Sequence, residues 1–288
     1  MKKRLSLVLV AIMVVVFTVG CSSNETSGFD MSRTINLVSR EDGSGTRGAF
    51  VEIVGILEKD ADGNEVDRTY EEAVIQNATD AVLTTVAGDE YTIGYISLGS
   101  LNDTVKAVNV GGAEATAANV QDGSYAIARP FNIAHKGELS DLGADFVSFI
   151  LSSEGQAIAE EEGYVQVGEP VAYEGSGEGK LVVAGSTSVS PLMEKLSEAY
   201  RAINTGVEIE IQSTGSSAGM QSAIEGTADI GMASRELKDS ELAELTGEVI
   251  AMDGIAVIVN KDNPVEDLSL DQIKSIFVGE LTEWTLVE

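Results

Sequence analysis

The stretch Arg40-Glu41-Asp42-Gly43-Ser44-Gly45-Thr46-Arg47 sets two guanidinium groups, two hydroxyls and two glycines between a short apolar run, 35–38, and a helical pattern starting near Gly48. A strand that empties into such a loop at a helix start gathers unpaired backbone N–H groups and the positive end of a helix dipole at one point, the ingredients of an oxyanion site. Alone, the loop reads as an ordinary capped helix start. The chain writes the same pattern twice more. Residues 180–184 run into Gly185-Ser186-Thr187-Ser188-Val189-Ser190 and a helix from Pro191, and 208–211 run into Ser213-Thr214-Gly215-Ser216-Ser217-Ala218-Gly219 and another helix. Three strand, hydroxyl-loop, helix units are expected to surround one oxyanion.

The elements that must position these loops alternate along the chain. Apolar runs at 91–96, 105–108 and 255–259, and the extended stretch 124–134, read as strands, with Pro130 arguing for an edge or a crossover. Intermittent helical pattern fills 71–86, and Leu142, Phe146, Phe149 and Ile150 make a core stripe in a helical region, 138–162, that Gly163 stops. Leu192, Leu196, Ala199 and Ile203 form one face of a further helix, and Leu270, Ile273, Ile276 and Phe277 line a short one. Alternation of strands and helices predicts α/β layers with largely parallel sheets.

A length of 288 residues predicts about two domains. Lys2, Lys3 and Arg4 lead an apolar run that stops at Gly20-Cys21, the layout of a secretory signal, 1–21, too short for a comfortable transmembrane helix. Cys21 is the only cysteine and sits where a bacterial lipoprotein is cleaved and acylated, so a lipid anchor is expected there, with 22–33 as tether. Simple secretion is the alternative, since the residue three before the cysteine is Thr18 rather than Leu. The formal charge of −29 excludes a nucleic-acid partner, which requires a basic face. It does not exclude an anion ligand, because surface charge is screened beyond about 8 Å while loop dipoles act at contact. Asp60-Ala61-Asp62-Gly63-Asn64-Glu65 lacks the glycine placement of a calcium loop, and the sole histidine, His135, reads as a polar strand end. No metal site and no cofactor is expected.

The motifs AGSTSVSP, STGSSAG, DIGMASR, GIAVIVNKDNP, IFVGELTEW and SREDGSGTRGAF resemble the PstS-like family, the phosphate-binding lipoproteins of the bacterial phosphate ABC importer, over nearly all of 34–288. The order differs, because the family begins with segments found here at 180–288 and ends with those found at 34–167. The resemblance implies a circular permutant, against the alternative of a truncated tandem duplication or fused gene fragment. It implies a two-lobed periplasmic-binding-protein type II fold of α/β class with the ligand cleft between lobes. One lobe is then 131–256, including a Gly/Ser linker at 168–179 that joins the family's usual termini. The other is assembled from 34–128 plus 257–288, with 125–133 and 255–259 as crossovers.

Carried over from the family, the oxyanion contacts fall on the Thr187 hydroxyl, the Ser188 N–H, Ser216 with its neighbour Ser217, and Arg40, Ser44, Gly45 and Thr46. Asp42 is expected to orient Arg40. Where one branch of the family carries an acid after G-A-S to accept the proton of hydrogen phosphate, this chain has Arg235, so the acceptor falls to Asp42, Glu236 or none. Arg235 then either adds positive charge to the site or pairs with Glu236 or Asp239.

The expected function is a non-catalytic, extracytoplasmic receptor, a lipid-anchored monomer on the outer face of the membrane, that captures inorganic phosphate for ABC permease subunits. A receptor for sulfate, molybdate or tungstate is the alternative. A phosphoester hydrolase using Ser44 or Thr187 lacks an evident base in the sequence, and a surface sensing or adhesion module is a further option.

Overall fold

The apolar runs become strands and the helical stripes become helices in the computed structural model, which describes residues 28–287. The signal-like segment 1–21, Cys21 and the first part of 22–33 lie outside the described residues. The strands are β1 (Asn36–Arg40), β2 (Leu57–Lys59), β3 (Glu65–Asp67), β4 (Val74–Gln76), β5 (Thr92–Ser97), β6 (Lys106–Ala107), β7 (Asn109–Val110), β8 (Ala128–His135), β9 (Gly179–Gly185), β10 (Val207–Ser213), β11 (Ile230–Ala233), β12 (Thr246–Val259) and β13 (Asp267–Leu268). The helices are α1 (Gly45–Ile53), α2 (Thr79–Ala87), α3 (Ala117–Gln121), α4 (Asp141–Ile150), α5 (Ser153–Glu161), α6 (Ser190–Ile203), α7 (Ser216–Glu225), α8 (Asp239–Leu242) and α9 (Leu270–Phe277).

The main sheet runs β10-β9-β11-β8-β12-β5-β1-β4, with β6 also paired to β12. Its two ends repeat one plan. In one, β9 lies between parallel partners β10 and β11, and β8 then runs antiparallel to β11. In the other, β1 lies between parallel partners β4 and β5, and β12 runs antiparallel to β5. Strand order therefore reverses beside β9 and beside β1. The carboxyl ends of strands at such switch points open a crevice in which α/β proteins bind ligands. The loops leaving those two ends are the first two hydroxyl loops.

Two large apolar cores flank the shared strands, with a smaller cluster of Ala134, Met220, Ala223, Ala233 and Leu245 beside them. Phe50, Tyr95, Val257, Phe277 and Trp284 belong to one, drawn from 35–127 and 255–287. Phe131, Phe146, Phe149, Met193 and Tyr200 belong to the other, drawn from 131–251. The chain passes between them on β8 and on β12, which pair antiparallel from Thr246↔His135 to Gly254↔Ala128. Pro130 fits on β8 because β11 pairs only with Asn132 to Ala134, leaving one side of the strand free at the proline.

Several local expectations differ from the fold. The helical region 138–162 is two helices, because Ser152 turns the chain and caps α5 through the Gly155 N–H. The strand expected at 255–259 begins nine residues earlier, at Thr246, where the polar residues Thr246, Gly247 and Glu248 hid it. The strand expected at 105–108 is only two residues long. The stretch read as tether is packed from Phe29 onward, its ring 4.8 Å from Tyr91 and edge-on to Trp284 at 5.8 Å, while Thr285 N–H donates to Met31 O at 2.7 Å. The Gly/Ser stretch 168–179 is also pinned, since Tyr173 packs against Phe149 and Tyr200, and the Gly177 N–H donates to Asn204. Among the described residues, no helix is long and apolar enough to cross a membrane.

Candidate functional site

Arg40 ends β1 with its side chain only 2 % exposed. The strand end is held by Tyr95 of β5, whose hydroxyl meets Ser39 Oγ at 2.8 Å and accepts the Arg40 N–H at 3.2 Å. Tyr95 is fixed in turn by stacking on Phe50 of α1 at 4.0 Å. Burial pushes its phenol above the ordinary value, so it stays a neutral partner. Arg47, one turn into α1, donates to Arg40 O at 2.9 Å and closes the loop, while its other side meets Asp67 at 2.8 Å. Burial alone raises the Asp67 carboxyl, but hydrogen bonds from Thr69 and the charge of Arg47 bring it below its usual range.

The loop between them turns at Gly43, whose φ of 87° suits glycine. Ser44 caps α1 through the Arg47 N–H at 3.3 Å. Ser186 does the same ahead of α6, its Oγ accepting the Ser188 and Val189 N–H at 3.2 and 3.4 Å, whereas α7 starts at Gly215 with no side-chain cap. Helix first turns present N–H groups that lack intrahelical partners, the donors that anion sites use.

The three loops meet. Arg40 Nη2 donates to Thr187 Oγ1 at 2.9 Å, and the Thr46 and Ser188 hydroxyls lie 2.7 Å apart. The Ser217 N–H donates to Gly43 O at 3.1 Å. Behind them Ser186 Oγ donates to Ser234 Oγ at 2.8 Å, and the Ser234 N–H donates to Ser216 Oγ at 3.2 Å. Gly45 faces this pair so closely that an added Cβ would stand 2.3 Å from Ser216 Oγ. Ser44, Thr46, Ser186, Ser188, Ser216 and Ser234 are all buried. The result is a clasp of hydroxyl, amide and guanidinium donors, half from each core, with the two sides in direct contact.

Two expected residues play other parts. Asp42 does not orient Arg40. Its side chain is 97 % exposed and pairs with Arg47 at 3.0 Å, because the turn at Gly43 carries it outward. Glu41 orients Arg40 instead, taking Nε at 2.8 Å and Nη2 at 2.9 Å. Exposed ion pairs contribute little, so Asp42→Asn is expected to leave anion affinity within about twofold of the parent, as read by isothermal titration. Arg235 pairs with neither Glu236 nor Asp239 but with Glu241 of α8, through Nη1 at 2.8 Å and Nη2 at 2.7 Å. Burial alone raises Glu241, yet Arg235 and the Lys238 amide hold it below the ordinary carboxylate range. Arg235 Nη2 still stands 3.5 Å from Ser217 Oγ, so the guanidinium borders the clasp without entering it. Glu236 is exposed.

Sequence reasoning missed Glu41, Ser186 and Ser234, although all three lie inside quoted motifs. It also missed a buried pair behind the clasp, Arg129 and Asp253, at 1 % and 0 % exposure and 2.9 Å apart. These two are separated by 124 residues and share no local signal. Among the described residues no group of His, Cys, Asp and Glu is arranged to hold a metal.

Comparison with known proteins fits this geometry. A family profile described as a PBP superfamily domain matches residues 26–154 and 170–286. A phosphate-binding protein PstS 2 from Streptococcus agalactiae is 48 % identical over 99 % of both chains. A phosphate-binding protein PstS from Staphylococcus saprophyticus is 36 % identical over 39 % of this chain and 38 % of its own. The crystal structure of a phosphate ABC transporter phosphate-binding protein from Streptococcus pneumoniae superposes with a TM-score of 0.71 at 50 % identity, covering 88 % of this chain and 100 % of the other. With α/β lobes, a shared pair of crossing strands and full-length similarity of this order, the chain belongs to the PBP superfamily and, within it, to the PstS-like family.

Proposed function

We propose that the protein captures inorganic phosphate between its two lobes and delivers it to the membrane subunits of an ABC importer. The observation that carries this reading is the clasp itself, in which Arg40, Ser44, Gly45 and Thr46 of one lobe face Thr187, Ser188, Ser216 and Ser217 of the other. Donors that now satisfy one another across the cleft, Arg40 with Thr187 and Thr46 with Ser188, turn toward a tetrahedral anion when one enters. A ligand touching both halves favours the closed arrangement through contacts that the open one lacks. The role is capture rather than turnover: the Ser44 hydroxyl is committed to capping α1, and Thr187 faces a guanidinium rather than a base.

The permuted order is part of the same reading. Relatives such as the streptococcal one align end to end, while the staphylococcal one aligns over little more than a third, as a collinear alignment does when two blocks have exchanged places. The first and last described segments also lie side by side, with Ile35 N–H donating to Thr282 O at 2.8 Å and Thr34 bridged to Glu283. Permuted ends are tolerated where they meet at the surface. The lobes are then 34–128 plus 257–288 and 131–256. Acylation at Cys21, with a tether ending before Phe29, holds a monomer at the outer face of the membrane within reach of its permease.

With Asp42 turned outward and Glu236 exposed, the acid nearest the clasp is Glu41, and its carboxylate is the acceptor that this reading assigns to the phosphate proton. Isothermal titration with phosphate, sulfate and molybdate tests the assignment. Binding of phosphate well ahead of sulfate is expected, and equal affinity for both would move the protein to a general oxyanion receptor.

A further inference from the structure

The anion clasp explains neither Arg129 nor Asp253, which face each other on the two strands that pass between the lobes. They are register partners on β8 and β12, and both are essentially sealed from solvent. Arg129 gives Nε and Nη2 to Asp253 Oδ2, at 3.1 and 2.9 Å. A buried ion pair is a poor source of stability, because desolvation offsets most of the attraction and a well-packed apolar pair serves as well. Its retention calls for what else the two groups touch.

They touch both lobes. Arg129 Nη1 donates to Ser234 O at 3.0 Å, and Asn132, three residues on along β8, donates to Arg235 O at 2.9 Å. These carbonyls belong to the loop whose Ser234 amide and hydroxyl form the floor of the clasp. On the other side, Asp253 Oδ1 accepts Ser97 Oγ at 3.0 Å, and Ser97 ends β5 in the opposite lobe. Tyr164 adds a contact at the same level. Its ring lies against Gly99, where a Cβ would come within 2.2 Å of Tyr164 Cζ, and its hydroxyl is buried without a partner, as is that of Ser100. A chain of hydrogen bonds thus runs from Ser97 through Asp253 and Arg129 to Ser234, spanning the strands about which the lobes turn.

We propose that Arg129 and Asp253 are a positioning pair that ties rotation of the lobes to the placement of Ser234 and Arg235 at the anion site, an inference that rests on the reading of that site given above. The pair does not contact the anion. It holds the carbonyl side of the 234–235 loop so that the amide side, bonded to Ser216 of its own lobe, meets Gly45 of the other when the lobes close.

The test uses the full-length protein with Arg129→Met and Asp253→Leu combined, which removes both charges without leaving one buried alone. Arg129→Gln combined with Asp253→Asn, which likewise leaves no charge unpaired, is measured beside it in case the first double variant does not fold. Phosphate affinity is expected to fall about tenfold, within the range by which residues off the binding site shift coupling. Hydrogen exchange without ligand is expected to quicken in 230–236 and 94–100, while the thermal midpoint stays within a few degrees of the parent. Affinity within twofold of the parent together with unchanged exchange in those segments overturns the proposal, as does faster exchange spread evenly over the chain. Failure of the parent to bind phosphate sinks the ligand assignment instead, and the exchange pattern still decides the role of the pair.

Discussion

Gly45→Ala is expected to weaken phosphate binding by roughly one to two orders of magnitude while the ligand-free protein still folds and melts cooperatively. Gly45 opens α1 without a positive φ, so alanine suits its backbone, and a helix favours alanine over glycine by about 1 kcal/mol. The added methyl meets the other lobe. It would lie 2.3 Å from Ser216 Oγ, 2.7 Å from Ser234 Oγ and 3.0 Å from the Ser234 nitrogen. These atoms cannot step aside, because Ser216 and Ser234 are fully buried and bonded to one another, and Ser186 holds Ser234 from behind. Relief comes only from parting the lobes, which separates Thr46 from Ser188 and Arg40 from Thr187. Gly48→Ala is the control on the same helix, where a Cβ meets only Arg235 Cδ at 3.4 Å, an ordinary contact. Isothermal titration and thermal melts of both variants check the result. Parent-like affinity in Gly45→Ala would mean that the lobes do not close as described.

The way these residues came to light differs from one to the next. The three loops were legible because each follows an apolar strand and opens a helix, so composition and position pointed to the same local structure. Gly45 was legible as a member of its motif, but the reason it must be glycine lies in Ser216 and Ser234, which pack against it only in the fold. Asp42 was misread because spacing along the chain says nothing of the φ at Gly43 that turns it outward, and its neighbour Glu41 took the place beside Arg40. The first half of β12 was hidden because Thr246 to Glu248 are polar at the exposed end of a strand that becomes apolar only on entering the interior. Arg129 and Asp253 had no local signal at all. A buried charge is recognisable from its partner, and that partner is brought by sheet register from across the chain. Local chemistry is written locally, while the linkage between lobes is written in pairing that only the folded chain displays.

The second large effect is expected at Arg40. Arg40→Met is expected to lower phosphate affinity by about two to three orders of magnitude, the range found when a desolvated charge contact is removed from a binding site. Four of its N–H contacts are visible: Nε and Nη2 to Glu41, Nη2 to Thr187, and Nη1 at 3.5 Å from Thr79. One guanidinium thus spans its own loop, the start of α2 and the opposite lobe, and it is the positive charge that the clasp encloses most deeply. Lysine does not replace it, since a single ammonium cannot serve Glu41 and Thr187 with the spacing of a planar fork, so Arg40→Lys is expected to recover little of the loss. Folding is expected to survive in both variants. The carboxylate left behind belongs to Glu41, whose side chain is 25 % exposed and can take water in place of the guanidinium. That distinguishes Arg40 from Arg129, whose partner is sealed, and it predicts opposite signatures on deletion of the cation alone. Arg40→Met loses binding and keeps its melting temperature, whereas Arg129→Met, leaving Asp253 buried and unpaired, loses stability as well. Titration with phosphate beside thermal melts of the two variants separates the cases, and equal destabilisation by both would show that Arg40 serves the fold rather than the ligand.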